Sequence, residues 1–153
     1  MTTTLAAMTD QASRVTSDID NARTVETFLY ALQDEDFDTV DSTFADTIVW
    51  QNVGWLTLQG RARIVKILRR GQGRVGFEVK IHRMAADGDT VLTERTDAIV
   101  IGPLRLQFWV CGVFEVHAGR ITLWRDYFDL LDIAKGTLRG LAGTVFRSLR
   151  PTL

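Results

Sequence analysis

The residue types best suited to acid–base chemistry lie in segment 90–101, whose alternating pattern predicts a strand. Side chains two apart share one face of a strand, so Arg95 and Asp97 lie on the same side, next to Ile99. Charges on an apolar face are costly to bury unless they are paired. The pair therefore indicates either a compensated polar site inside a pocket or a structural ion pair in the core.

A second acid interrupts an aromatic face in the predicted strand 121–128. Asp126 shares its side of that strand with Trp124 and Phe128. A carboxyl group in such surroundings is either neutralised by a cation or has its pKa raised by desolvation, which a general acid or base near neutral pH needs. The alternative is an aspartate on an edge strand that faces water.

A third polar residue, Asn52, shares a side with Trp50 in the short predicted strand 48–52. Its carboxamide can both donate and accept hydrogen bonds. Taken alone, an asparagine at the end of a strand is more typical of a turn.

These three segments must be positioned by the rest of the fold. The spacing of apolar residues predicts a group of helices followed by a group of strands. A helical period predicts helices over 25–32, 37–44 and 61–70. An alternating pattern with turns between predicts strands over 48–52, 75–82, 90–101, 104–116 and 121–128. Helices followed by hairpin-linked strands indicate an α+β fold, with the helices on one face of a curved sheet.

The two ends of the chain differ from this middle part. Residues 1–19 have no convincing apolar period and are expected to form a flexible tail, with residues 20–153 as a single domain. The segment after 129 predicts an amphipathic helix with a glycine break. This helix could close a pocket, pack across a dimer or make a weak contact with a membrane surface, and packing is the favoured interpretation.

Composition narrows the class of protein. With 153 residues and a net charge of -1, the chain suits one globular domain and argues against binding of nucleic acid. One cysteine and two histidines give neither a disulfide framework nor a metal site. The string Gly71 to Gly76 matches a dinucleotide motif only in reverse element order, so no cofactor is expected. No membrane span or signal peptide is visible, and we expect a cytoplasmic protein.

Three motifs, in this order, resemble the limonene-1,2-epoxide hydrolase family: Gln51-Asn52, Glu94-Arg95-Thr96-Asp97 and Trp124-Arg125-Asp126-Tyr127-Phe128-Asp129. The resemblance covers the chain from about Thr24 to Asp129. It implies a cone-shaped curved mixed sheet, shared with ketosteroid isomerases, with helices on its concave side around a deep apolar pocket. It also implies a homodimer.

The resemblance further implies a one-step opening of an epoxide to a vicinal diol, with no covalent intermediate, metal or organic cofactor. Asp126 would deprotonate water, Asp97 would protonate the oxirane oxygen and Arg95 would bridge the two acids. Asn52 would help to hold the water. The residues expected to contact a bulky apolar epoxide are Trp50, Trp124, Phe128 and Ile99.

One position departs from the family pattern, because Trp50 stands where the family has a tyrosine that also holds the water. An indole has one N–H donor and no acceptor, so it cannot fully replace a phenol. Two other functions stay open at this point: an isomerase on the same fold that moves a proton beside a carbonyl, and a non-catalytic carrier of lipophilic ligands.

Overall fold

A computed structural model describes the backbone of residues 2–145 and the side chains of most of them. Its elements in chain order are α1 (Thr2–Gln33), α2 (Phe37–Thr43), β1 (Phe44–Asn52), β2 (Leu56–Gln59), α3 (Arg61–Arg70), β3 (Gly76–Asp87), β4 (Thr90–Ile101), β5 (Leu104–His117), β6 (Arg120–Tyr127) and α4 (Leu130–Val145). The six strands form one sheet in the order β2-β1-β6-β5-β4-β3. The pair β1 and β6 is parallel and the other pairs are antiparallel, so the predicted α+β fold with a curved mixed sheet is confirmed.

The core lies between helices α1, α2 and α3 and one face of the sheet, which we call the inner face. Phe28 of α1 is fully buried at its centre. Its ring centroid lies 5.0 Å from that of Phe44, 6.1 Å from that of Phe114 and 4.9 Å from that of Trp124. Aromatic pairs at these distances add to the hydrophobic free energy that holds helix and sheet together.

Residues 2–19 are helical and belong to α1, in the segment for which the sequence predicted a flexible tail. Hydrogen bonds one turn apart, such as Ser13 Oγ to the carbonyl of Thr9, and an ion pair between Arg14 and Asp10 occur along this part of α1. From residue 6 to residue 17 the described side chains are exposed, so the helix needs no apolar stripe there and shows no period. Further along, Asp18 accepts a hydrogen bond from the N–H of Gly88.

Helix α4 runs through its glycines without the break that was expected within Leu130–Val145. A Cβ atom at Gly136 would lie 2.6 Å from the carbonyl oxygen of Gln107, and one at Gly140 would lie 2.6 Å from that of Arg105. These glycines therefore let α4 approach the backbone of β5 where that strand extends past β6. Phe146, Arg147, Leu149 and Arg150, which we also assigned to this segment, lie outside the described residues.

The packing of α4 on β5 agrees with the interpretation favoured from the sequence. No helix in residues 2–145 is long and apolar enough to span a membrane.

Candidate active site

Strand pairing brings the three predicted charged residues together on the inner face. Arg95 and Asp97 lie on β4, and Asp126 lies on β6, with β5 between the two strands. The Nε of Arg95 donates to both carboxylate oxygens of Asp97, at 2.9 and 3.0 Å. Its Nη2 donates to Oδ1 of Asp126 at 2.6 Å, and its Nη1 donates to the hydroxyl of Thr93 at 3.0 Å.

All three groups are buried, with exposed fractions of 0% for Arg95, 3% for Asp97 and 5% for Asp126. Two ionised carboxylates beside one guanidinium would leave a net negative charge away from water, which is unfavourable. The arrangement is therefore most stable when the two acids share one proton.

The pKa values have identifiable causes. Burial and the charge of Asp126 together raise the pKa of Asp97 to about 6, against the opposing effect of Arg95. Burial also raises the pKa of Asp126, while Arg95 and the indole N–H of Trp124 favour its ionised form. Burial thus favours a proton on either acid and Arg95 favours the ionised form of each, so the pair can hold one proton donor and one proton acceptor.

Trp124 is a polar partner of the site as well as part of its wall. Its Nε1 donates to Oδ2 of Asp126 at 2.7 Å, and the side chain is buried. Its ring stacks on that of Trp50, with centroids 4.5 Å apart and planes 9° apart. The structure shows Trp124 as a hydrogen-bond donor to the carboxylate of Asp126, and the expected contact of its ring with substrate stays a prediction.

Asn52 and Trp50 stand beside Asp126 on the neighbouring strand β1. Asn52 pairs with Asp126 in the parallel register, and Trp50 pairs with Trp124. Asn52 is half-buried, and its place opposite Asp126 in the register puts both side chains on the same face of the sheet. The Nε1 of Trp50 is buried and has no hydrogen-bond partner among the described residues.

Beyond the charged residues, the inner face becomes apolar and half-buried. Ile99 on β4 is paired with Leu106 on β5, and both are partly exposed. Phe108 pairs with Asp97 and contacts the ring of Phe128, with centroids 6.2 Å apart. The predicted wall residues Ile99 and Phe128 are therefore on the same side as the acids.

Phe108 belongs to this wall although the sequence analysis did not single it out. Its parity within strand 104–116 is visible in the sequence, but its place opposite Asp97 requires the register between the strands.

Two open depressions lie elsewhere on the molecule. One, of about 480 Å³, lies at the surface of α3 beside Asp41, and the other, of about 570 Å³, lies between α1 and the turn at Gly119. Neither is lined by Arg95, Asp97 or Asp126, so the deep apolar pocket at these three residues stays a prediction.

The remaining reactive side chains are not gathered into a site. Within the described part of the chain, no group of three or more histidine, cysteine or acidic residues could hold a metal ion. His82 bonds to the hydroxyl of Thr96 and stacks on Trp109, on the opposite face of the sheet, and Cys111 is exposed.

The geometry can be compared with known proteins. Residues 19–139 match the family model of the limonene-1,2-epoxide hydrolase catalytic domain. The chain belongs to the limonene-1,2-epoxide hydrolase family. It is 66% identical over 129 residues to epoxide hydrolase EphG of Mycobacterium tuberculosis, covering 84% of this chain and 87% of that protein.

Solved structures of this family and of the wider fold are similar to this chain. A structure of an epoxide hydrolase of this kind from Mycobacterium tuberculosis has a TM-score of 0.88 and 63% identity, covering 89% of this chain and 97% of that one. A protein with a ketosteroid isomerase-like fold from Catenulispora acidiphila has a TM-score of 0.65 at 18% identity, covering 74% and 91% of the two chains. The second match is evidence for the fold alone.

Proposed function

We propose that this member of the epoxide hydrolase family converts an apolar epoxide and water to a vicinal diol in one step, using Asp97, Arg95 and Asp126. The observation that carries the proposal is one buried guanidinium bonded to two buried carboxylates. Such a set supplies an acid and a base within one hydrogen-bonded unit, which an isomerisation that moves a single proton does not require.

Asp126 acts as the base. Its carboxylate is held in place by Arg95 and Trp124, and a water molecule beside it gives up a proton while its oxygen attacks an oxirane carbon. Asn52, opposite Asp126 on β1, offers a donor and an acceptor that can align that water.

Asp97 acts as the acid. When the carbon–oxygen bond of the oxirane breaks, the oxygen leaves as an alkoxide, which is a poor leaving group unless it receives a proton. A buried Asp97 with a pKa raised to about 6 holds such a proton much closer to neutral pH than an ordinary aspartate does. Water thus adds across the ring, with one proton passing to Asp126 and another from Asp97.

After product release, the two acids must exchange their protonation states. Arg95 contacts both and stays charged, since its two carboxylate partners outweigh the effect of burial and raise its pKa. A proton that passes from Asp126 to Asp97 restores the starting state without any other group.

The substrate is expected to be bulky and apolar. Ile99 and Phe128, with Trp50, provide apolar surface on the same face as the acids. Such surface binds hydrocarbon groups through burial of area and offers few partners to a polar substrate.

The test is an assay of the purified protein against a panel of epoxides, from small polar to large apolar, with diol formation measured by mass spectrometry. We expect diol from the bulky apolar members. An isomerase or a carrier of lipophilic ligands would bind such compounds and form no diol, and that result would reject the proposal.

A further inference from the structure

Arg95 and Asp126 lie on strands that are not neighbours, and this creates a steric problem. Strand β5 lies between β4 and β6, and neighbouring strands are about 4.8 Å apart. The guanidinium must therefore cross the inner face of β5 to reach the carboxylate. Any side chain of β5 that points to the inner face at the crossing point would block it.

The crossing point is Gly112. In the sheet register this residue lies opposite Thr93 on one side and opposite Asp126 on the other. A Cβ atom at Gly112 would overlap Nη1 of Arg95, and it would stand 2.6 Å from the hydroxyl oxygen of Thr93 and 2.9 Å from Cε2 of Phe114. Even alanine would therefore compete for the space that the guanidinium occupies.

The backbone does not explain why glycine is needed there. Gly112 lies within β5, and it is not among the glycines with a positive φ angle. An L-residue could adopt its conformation without strain, so the reason for glycine is the space next to it.

We propose that Gly112 is a positioning residue for the reaction, because its missing side chain is the passage through which Arg95 reaches Asp126. This inference rests on the proposed function, in which Arg95 must hold both acids. Thr93 completes the passage by accepting a hydrogen bond from Nη1, and the ring of Phe114 forms its floor, 5.8 Å from Cζ of Arg95.

The consequence of Gly112→Ala follows from these contacts. The guanidinium has to move away from β5, and since it is bonded to Asp97 on its own strand, the contact with Asp126 is the one that is lost. Misplacement of a catalytic group by about 1 Å can lower a rate about 100-fold. We expect the kcat for epoxide hydrolysis to fall by at least about that factor, with a much smaller change in KM.

The experiment compares Gly112→Ala in two backgrounds, the natural chain and Arg95→Lys. Lysine lacks the branches of the guanidinium that fill the space beside Gly112, so the closest overlap of the added methyl group is removed and only its contacts with the side chains of Thr93 and Phe114 remain. Gly76→Ala is the matched control, because Gly76 lies on β3, which carries none of the three charged residues, and its Cβ would stand at an ordinary 3.4 Å from Cβ of Val100. Diol formation and the melting temperature are measured for every variant.

We expect Gly112→Ala to lower kcat at least about 100-fold in the natural background and to change the residual rate less than about threefold beside Arg95→Lys. Its melting temperature should fall in the natural chain and fall less in the lysine background, where the overlap with Arg95 is absent. Gly76→Ala should change neither quantity appreciably in either background.

Equal effects of Gly112→Ala in the two backgrounds would overturn the inference, as would a folded Gly112→Ala with kcat within threefold of the natural chain. If Gly112→Ala alone fails to fold, a folded double variant supports the inference and an unfolded one rejects it. The melting temperatures carry this test even if the natural chain forms no diol, an outcome that would reject the proposed function instead.

Discussion

Two buried arginines on neighbouring strands of the same sheet have opposite surroundings. Arg95 lies on the inner face of β4 and donates to two aspartates and a threonine. Arg105 lies on the other face of β5 and pairs with the single carboxylate of Glu78, which is partly exposed. The Nε of Arg105 has no hydrogen-bond partner among the described residues.

The difference lies in the balance of charge. One arginine with one carboxylate forms a neutral pair, which is sufficient as a structural contact and is partly screened by water. One arginine with two buried carboxylates is neutral only if an acid keeps its proton. Burial alone therefore does not distinguish an acid–base site from a structural ion pair, whereas a second acid on the same guanidinium favours the acid–base site.

The largest expected effect is on kcat, and it should appear for the acids bonded to Arg95 and not for the acid bonded to Arg105. Asp97→Asn and Asp126→Asn should each lower kcat by at least about 10³-fold, since each removes a proton-transfer group. Glu78→Gln, the matched change beside Arg105, should leave kcat within about threefold. Steady-state kinetics with circular dichroism as the folding control would check this, and near-normal activity of either aspartate variant would contradict the assignment.

The second effect concerns the residue opposite Asp126 on β1. Asn52→Ala should lower kcat about 100-fold, because it removes a donor and an acceptor that align the water. Gln51→Ala is the control, since the side chain of Gln51 points to the other face, where its carbonyl accepts from Nε of Arg125 at 2.7 Å. If the two variants lost equal activity, Asn52 would have no special role.

A third effect should appear in the free energy of unfolding. At high pH the buried carboxyl group of Asp97 is ionised, and this is expected to destabilise the folded state. The pKa of Asp97 is about 6 in the folded chain and near 3.8 otherwise, so the folded state holds a proton that the unfolded state has already lost. Stability from this group is present below about pH 4 and is lost as the pH rises through about 6.

Asp97→Asn lacks this titration. At pH 8 its free energy of unfolding should exceed that of the natural chain by up to about 3 kcal/mol, from about 1.4 kcal/mol for each pKa unit, and at pH 4 the two should be similar. Urea unfolding at both pH values measures the difference. A variant that is less stable than the natural chain at pH 8 would show that Asp97 is a structural partner of Arg95.

The smallest effect is expected at Trp50, where this chain departs from the family pattern. Trp50→Phe keeps the aromatic contact with Trp124 and removes an N–H that has no partner among the described residues. It should change kcat less than tenfold, equivalent to under about 1.4 kcal/mol. A loss as large as that of Asn52→Ala, with an unchanged circular dichroism spectrum, would make this N–H a ligand of water or substrate.

The parts of the fold with strong local signals were predictable from sequence. Helix α3 and strand β4 have the predicted bounds, 61–70 and 90–101, because their apolar periods end at glycines or turns. The first half of α1 lacks such a period because its described side chains face solvent, and β2 is a four-residue strand that was not predicted. The predicted homodimer, cytoplasmic location and membrane contact stay predictions.

In the site, too, only the arrangement of residues close together in sequence was predictable. Alternation along one strand places Arg95 beside Asp97, since only neighbours in sequence are involved. The bond from Trp124 to Asp126 is also local, but it depends on the rotamer of the indole, which the sequence does not reveal. The role of Gly112 depends on the pairing of three strands, which a single sequence does not specify.

The central claim is direct attack by water on the epoxide, and a single turnover in ¹⁸O-labelled water tests it most directly. Enzyme in excess over an apolar epoxide that it hydrolyses is mixed in labelled water, and the diol of the first turnover is analysed by mass spectrometry. Direct attack predicts ¹⁸O in that first diol. A covalent ester with Asp97 or Asp126 would instead release a first diol carrying unlabelled carboxylate oxygen, and that result would contradict the mechanism.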